Sequence, residues 1–418
     1  MSSYSKFERI IASFLSRFPY VKSISKRIYT RTFYQIFKSD FDYQLDGKRE
    51  IISIDSSEKE SFFGYYDKSP ESNDGKFIIY QRISGSTKKS PRNHLDVEVV
   101  VKDTESEREV FSCRSKAFNW QQGTKLQWLT NDKFIFNDFK ANRYVSHIVD
   151  VKLRRIIKTI DAPIYDTFQC EFALTTSFER LSVFAPDYGY FAHSIEKNSS
   201  HFSLDGIYKI NLSSGKLEQI LSLENVSRFE FDSSMKAVHT INHIMISPKG
   251  RSFMFIHRWY VDGQRFDRLI MSDLDGCMKV LVSEEMVSHC CWADENVVMG
   301  YFRYNSKNCY FKIDVISGVI TELFYEDYSD GHPTIRNGNM LTDTYPNRRG
   351  LQELIFIDKL GNKSTLGKFR HHPSYFGECR CDLHPRLSHN NKSIFIDSIL
   401  NGKRKLYRID FSERIDFN

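Results

Sequence analysis

The feature that most constrains this chain is a unit that recurs along its length: a polar lead-in, a short strand, a tight polar turn and an apolar run. In the clearest copy, Asp382-Leu383-His384-Pro385-Arg386-Leu387-Ser388 passes through His389-Asn390-Asn391-Lys392 into Ser393-Ile394-Phe395-Ile396. His243 precedes the turn Ser247-Pro248-Lys249-Gly250 and then Phe253-Met254-Phe255-Ile256. His289 precedes Asp294-Glu295-Asn296 and Val297-Val298-Met299, and His332 precedes Asn337-Gly338-Asn339 and Met340-Leu341. Similar turns occur at Ser72-Asn73-Asp74-Gly75 and Thr130-Asn131-Asp132, and a degraded copy runs from Tyr165 to Leu174. A polar turn followed by an apolar run reads as one strand turning into another. Each copy is followed by a further strand, turn and strand. Seven four-stranded units at roughly fifty-residue spacing predict an all-β, seven-bladed β-propeller with WD-like repeats.

Composition agrees with that reading. Aromatic residues make up 14% of the chain, which suits pleated, buried strands. No apolar run reaches the roughly eighteen residues needed to span a bilayer, and no uninterrupted apolar core marks a secretory signal. The eight cysteines are irregularly spaced. Neither Cys290-Cys291 nor Cys379-x-Cys381 has zinc-ribbon spacing, so reduced thiols in a cytoplasmic protein are expected.

The net charge of +6 is unevenly placed: residues 1–38 hold eight Lys or Arg against one Glu. The rest of the chain is close to neutral, which excludes a general nucleic-acid binder. Residues 1–45 read as a basic helical extension, with two amphipathic helices broken at Pro19. Residues 50–418 read as the propeller. A basic helix with aromatic residues suits the surface of an anionic membrane; a helix packed on the propeller or on a partner has the same pattern. Residues 50–55 form a lone strand before the first repeat, expected to complete the last blade.

In a propeller the first strand of every blade lines the channel and runs in the same direction. Residues leading into those strands therefore meet at one mouth. Asp67 or Lys68, Gln122 or Gln127, His243, His289, His332 and His384 fall there, forming one concave polar site. Any one of these histidines alone reads as a turn cap. Histidines with glutamine and carboxylates suit a divalent metal, with Mn, Ca and Zn not distinguished. Arg180, Arg258 and Arg386 suit an anionic substrate, because guanidinium pairs bidentately with carboxylate or phosphate. Asp67, Gln122, Arg180 and Asp382 are the expected substrate contacts, and Tyr65 or Tyr66 is a proton-transfer candidate. Asp67, Asp330, Asp343 and Asp382 facing one another across the channel would also suit a paired-carboxylate glycosidase. Phosphate-cradling glycine loops and a nucleophile elbow are absent.

The segment Asp-Leu-His-Pro-Arg-x-Ser-x-x-x-Lys-x-Ile-x-x-Asp-Ser from Asp382, the Gly331-His332-Pro333 lead-in and the Asn242-His243-Ile244 lead-in resemble oligogalacturonate-lyase-like propellers. More loosely they resemble TolB-like propellers, and the chain looks like propeller proteins of bacterial surface-polysaccharide loci. The resemblance covers roughly residues 60–412. It implies His243, His332, His384 and Gln127 as metal ligands, His239 as the base, and Arg258 or Arg386 as partner of a substrate carboxylate. One departure is that Asp382, rather than a second histidine, stands two residues before His384. Two readings follow. One is a carbohydrate-active enzyme acting on an acidic oligo- or polysaccharide by lyase-type elimination. The other is a non-catalytic propeller scaffold that binds glycan or protein, glycan-synthesis enzymes among them, at the cytoplasmic membrane face. The expected location is cytoplasmic and peripheral on the inner membrane.

Overall fold

A computed structural model describes residues 19–37, 41–47, 49–193, 203–230, 238–262, 264–323 and 329–411. A helix, α1 (Pro19–Ile36), is followed by two short strands, β1 (Tyr43–Leu45) and β2 (Arg49–Ser53). Blade 1 holds β3 (Glu60–Phe62), β4 (Phe77–Ile83), β5 (Val97–Asp103) and β6 (Glu109–Ser115). Blade 2 holds β7 (Gln127–Trp128), β8 (Lys133–Lys140), β9 (Arg143–Asp150) and β10 (Arg155–Ile160). Blade 3 holds β11 (Asp166–Phe168), β12 (Phe172–Thr175), β13 (Gly206–Asn211) and β14 (Leu217–Ser222), with α2 (Phe178–Phe184) inserted and α3 (Leu223–Arg228) after it. Blade 4 holds β15 (Val238–Ile246), β16 (Ser252–Val261), β17 (Gln264–Asp273) and β18 (Met278–Val282). Blade 5 holds β19 (Val287–Asp294), β20 (Val297–Tyr304), β21 (Lys307–Asp314) and β22 (Ile320–Glu322). Blade 6 holds β23 (Thr334–Arg336), β24 (Asn339–Asp343), β25 (Leu351–Ile357) and β26 (Lys363–Arg370). Blade 7 holds β27 (Arg386–Leu387), β28 (Ser393–Leu400) and β29 (Lys403–Phe411).

The result is seven antiparallel sheets, the expected seven-bladed propeller. Second strands such as β16 and β28 are buried along most of their length. Each is sandwiched between neighbouring blades, which is why it reads as a continuous apolar run rather than an alternation. Val99, Val101, Phe134, Phe136 and Val149 pack between blades 1 and 2, with Phe395 and Leu406 of blade 7 in the same cluster. Leu341, Leu354 and Phe369 of blade 6 pack against Ile394, Ile396 and Ile409 of blade 7.

The strand before the first repeat closes the ring. β2 pairs with β29 as the outer strand of blade 7, placing Ile51 opposite Ile409. β1 does the same for blade 6, pairing with β26 to make that sheet five-stranded. The extension expected to be helical through residue 45 therefore ends in a strand of the propeller. The first of the two expected helices lies outside the described residues. Pro19, read as a break, stands at the first position of α1, where a missing N–H costs nothing.

Blade 1 departs from the repeat in the way that matters most for the site. Its inner strand pairs Phe62 with Gln81, then resumes only at Glu71 opposite Ile78. Residues 63–70 leave the sheet as an excursion into the channel. Blade 7 pins it: the Asp397 carboxylate accepts from the backbone N–H of Phe63 (3.0 Å) and of Gly64 (3.1 Å). The Arg386 guanidinium donates to the carbonyls of Gly64 and Tyr65 and pairs with Asp397 at 2.9 Å. Gly64 has φ +127° and lies so close to blade 2 that a Cβ would sit 2.9 Å from the backbone C and O of Gln122. Only glycine fits there.

Candidate functional site

The inner strands of blades 4 to 7 bring His243, His289, His332 and His384 to one channel mouth, all at most 6% exposed. Ring centroids are 6.3 Å apart for His243 and His289, 4.1 Å for His289 and His332, and 4.3 Å for His332 and His384. Tyr65, at the tip of the blade 1 excursion, stands among them, its ring 5.3 Å from His243 and 5.1 Å from His384. Tyr188 covers His243 at 4.8 Å and Tyr345 covers His332 at 5.7 Å.

His243 and His384 share an unusual backbone, with φ of +53° and +45°. Each lies four residues before the serine that opens its turn, Ser247 or Ser388. Lys125 holds the same offset before Leu129 in blade 2, with φ +55°. Left-handed backbone is uncommon outside glycine and gathers at functional sites. Here it marks one structural position in three blades, and each of the three side chains lies buried in the channel.

The side chains placed so that they could hold a metal ion overlap only in part with the set that the resemblance implied. Among the described residues, one atom each of His332, Asp382 and His384 lie within 4.8 Å of one another. His332 Nε2, His384 Nε2 and Asp382 Oδ1 are buried with no hydrogen-bond partner. Leaving such atoms unpaired costs about 1–3 kcal/mol each, so three in one place fit a guest cation. Asp343 orients two of the three residues. Its carboxylate accepts from His332 Nδ1 (2.8 Å) and from the backbone N–H of His332 (2.8 Å) and His384 (3.1 Å). A histidine that gives its Nδ1 proton to a carboxylate presents Nε2 as a lone pair, the arrangement seen behind metal-bound histidines. Burial, then the charges of His332 and Arg386, holds His384 well below the ordinary histidine range, so it is a neutral donor. Burial opposes the charged form of His332, but Asp343 outweighs it and raises this one. Burial opposes ionisation of Asp382, and Arg380 and His332 overcome it and lower its pKa. Arg380 donates to Asp382 at 2.7 Å and to Asp187, in the loop that carries Tyr188, at 2.5 Å. One mixed imidazole and carboxylate set therefore fits a divalent ion such as manganese or zinc.

His243 stands beside that set rather than in it. Its Nε2 takes the Tyr65 hydroxyl, and its backbone N–H donates to Tyr165 Oη at 2.8 Å. Burial, then Arg258 and His289, holds it well below the usual range, while burial holds the Tyr65 phenol well above its own. Tyr65 and His243 are therefore a neutral tyrosine–histidine pair, with the His243 tautomer setting which of them donates. On the far side of Tyr165, Gln122 donates to its hydroxyl at 3.0 Å, and Lys125 faces Asp67 at 3.7 Å.

Other expected residues are placed differently. Gln127 does not join the histidines: its amide donates to the carbonyls of Lys125 and Tyr165 and accepts from Thr167. His239 lies four residues up β15, roughly 13 Å of strand, and is bonded to His257 at 2.9 Å. β15 and β16 run on past the mouth in blade 4, and this carries His239 away from the cluster. Arg386 spends its guanidinium on pinning residues 64 and 65, so it does not face a substrate. Arg180 is a strut from α2 to the His239 carbonyl (2.7 Å) and Asp205 (3.1 Å). Arg258 lies near His243 and Tyr188 and is paired with Asp267. Tyr66 borders His332 and His384, with its hydroxyl spent on the Cys290 carbonyl at 2.8 Å. His289 is held by Asp330 at 3.0 Å. Lys125, Tyr188 and Arg380 were missed by sequence reasoning; only Lys125 carried a signal, its offset before the turn.

No protein-family model matches this chain, and neither does any curated protein. Among solved structures it is similar to an oligogalacturonate lyase in complex with manganese, with a TM-score of 0.63 at 13% identity over 89% of this chain and 97% of that one. It is also similar to an oligogalacturonate lyase from Vibrio parahaemolyticus (TM-score 0.39, 11% identity, 89% and 97% covered). TolB from Acinetobacter baumannii gives a TM-score of 0.40 at 13% identity, with 82% of each chain covered. At these identities the likeness concerns architecture: the chain has the seven-bladed propeller fold of the oligogalacturonate lyase with manganese.

Proposed function

We propose that the protein is a carbohydrate-active enzyme of bacterial surface-polysaccharide metabolism, acting on an acidic glycan by metal-assisted elimination at the channel mouth. The observation that carries this reading is the buried, mutually close and unpaired donor set of His332, Asp382 and His384, standing beside the Tyr65–His243 pair. The three residues would hold a divalent ion, and the chemistry it supplies is neutralisation of a uronate carboxylate. Elimination then needs a base for the proton next to that carboxylate. The neutral His243 Nε2, reached through the Tyr65 hydroxyl, is the acceptor for that proton. The electrons left behind form a carbon–carbon double bond as the neighbouring carbon–oxygen bond breaks, and the departing oxygen is reprotonated. Lys125 and Arg258 stand near His243, each facing a buried carboxylate, Asp67 or Asp267. The seven-bladed likeness to a lyase with manganese supports the architecture of such a site.

The test is to incubate the full chain with manganese and a panel of uronate-containing oligosaccharides, following ultraviolet absorbance of an unsaturated product. Tyr65→Phe should lower turnover at least ~100-fold, the usual scale for removing a proton-transfer group, with bound metal unchanged. Metal binding without product from any acidic glycan would contradict elimination and leave the second reading, a glycan-binding propeller.

A further inference from the structure

The inner strands start at the site face and run to the opposite one, so every connection between a blade's second and third strand returns to the site face. The 344–350 turn, the 371–382 segment and the 84–96 loop all lie there. α1 is docked on the first two. The Tyr34 ring meets His372 at 5.5 Å, Arg370 lies 4.2 Å over it, and Arg349 lies 5.9 Å from the Phe37 ring. Arg27 reaches Phe376 at 6.0 Å. The segment that receives the helix continues directly into Asp382 and His384.

This packing leaves the outer side of α1 uncovered. Ile28 is 62% and Ile36 64% exposed, with Arg31 exposed beside them. No acidic residue occurs between Glu8 and Asp40, against seven Lys or Arg. The 84–96 loop repeats the chemistry independently. Lys88, Lys89 and Arg92 are exposed, and Leu95 projects from the loop at 86% exposure. Lys88 lies over Tyr375 at 5.4 Å, which sets this loop against the segment that receives α1. Exposed aliphatic side chains beside clustered positive charge, with Asp96 of the loop facing Arg114 at 3.4 Å, complement one kind of surface, an apolar layer under anionic headgroups. Among the described residues no helix is long and apolar enough to cross a membrane, so the contact is with the surface.

We propose that α1 and the 84–96 loop dock the protein on an anionic bilayer, so that the tyrosine-covered histidine cluster faces the lipid headgroups. A substrate carried on a lipid would then meet the channel mouth without leaving the membrane. This placement does not depend on elimination chemistry or on a metal.

The test is cosedimentation of the full chain with phosphatidylcholine vesicles, with and without phosphatidylglycerol. Binding is expected only with phosphatidylglycerol and is expected to fall with added salt. Arg31→Glu with Lys89→Glu, and separately Ile28→Ser with Ile36→Ser, should each weaken it at least ~10-fold with circular dichroism unchanged. Orientation has its own readout. Cys170 and Cys277 are exposed and lie in turns on the face opposite the site, whereas Leu95 lies on the site face. A thiol-attached fluorophore at Leu95→Cys, in a Cys170→Ser, Cys277→Ser background, should be quenched by spin-labelled lipid, while the same label on native Cys170 and Cys277 is not. Absence of vesicle binding would overturn the proposal and point to a protein partner for α1. Equal quenching at both faces, or wild-type binding by the charge-reversed variant, would overturn it as well.

Discussion

Asp343 organises more of the site than any residue that would touch a ligand. Its two oxygens fix the His332 imidazole and the backbone of both His332 and His384, and it is 1% exposed. Asp343→Asn keeps the shape but removes the charge and lets the amide offer hydrogens where it must accept them. Metal affinity is expected to fall about 10- to 100-fold, the scale for groups behind the ligands, with thermal stability of the metal-free protein changed far less than affinity. Competition against a chelator measures it. The residue scale is also where the sequence was least legible. His332 and His384 stood out by their place in the repeat, whereas Asp382 beside His384 was read as a substrate contact. Gln127 stood at a similar place, yet its amide is absorbed by the Thr167 backbone and hydroxyl of the next blade. His239 was implied as the base by the resemblance, but strand geometry sets it four residues from His243, in a different environment beside His257.

Among the elements, the excursion of residues 63–70 is what makes the channel mouth a site. It was illegible beforehand because its anchors, Arg386 and Asp397, lie over three hundred residues away in the last blade. The repeats themselves were legible, since a polar turn before an apolar run is a local signal. The closing role of β2 was legible too, because the last unit has only three strands of its own. β1 was not, because three residues carry no periodicity. The Arg386–Asp397 pair is buried, with side chains 2% and 5% exposed. Removing one member of such a pair leaves the other uncompensated, at a cost of about 3–5 kcal/mol. Asp397→Asn is therefore expected to lower the unfolding free energy, measured by urea denaturation, by that order and to displace Tyr65 from His243. Unchanged stability would contradict the pinning role.

For the whole molecule, buried histidines tie stability to pH. Burial lowers His243, His257, His289 and His384, and pushes His371 down to about 4. The unfolded chain binds protons at these groups near pH 6.5, where the folded chain does not. Their stabilisation is complete above about pH 6.5 and is lost as pH falls towards the folded values. His332, raised mainly by Asp343 against burial, acts in the opposite sense, losing its contribution as pH rises through its folded value. Five groups outweigh one, so the urea midpoint of the metal-free protein should fall between pH 7 and pH 4, with His371 alone contributing on the order of 3 kcal/mol. A flat profile would mean that these histidines are solvated. The same burial keeps His243 and His384 neutral, as the proposed chemistry requires. The most direct test of that chemistry's foundation is elemental analysis of the purified full chain after manganese loading and desalting, beside His332→Ala, Asp382→Ala and His384→Ala. Near-stoichiometric metal in the wild type, lost in each folded variant and kept in His239→Ala, is the expected result. A folded wild type that retains no divalent metal would contradict the metal centre.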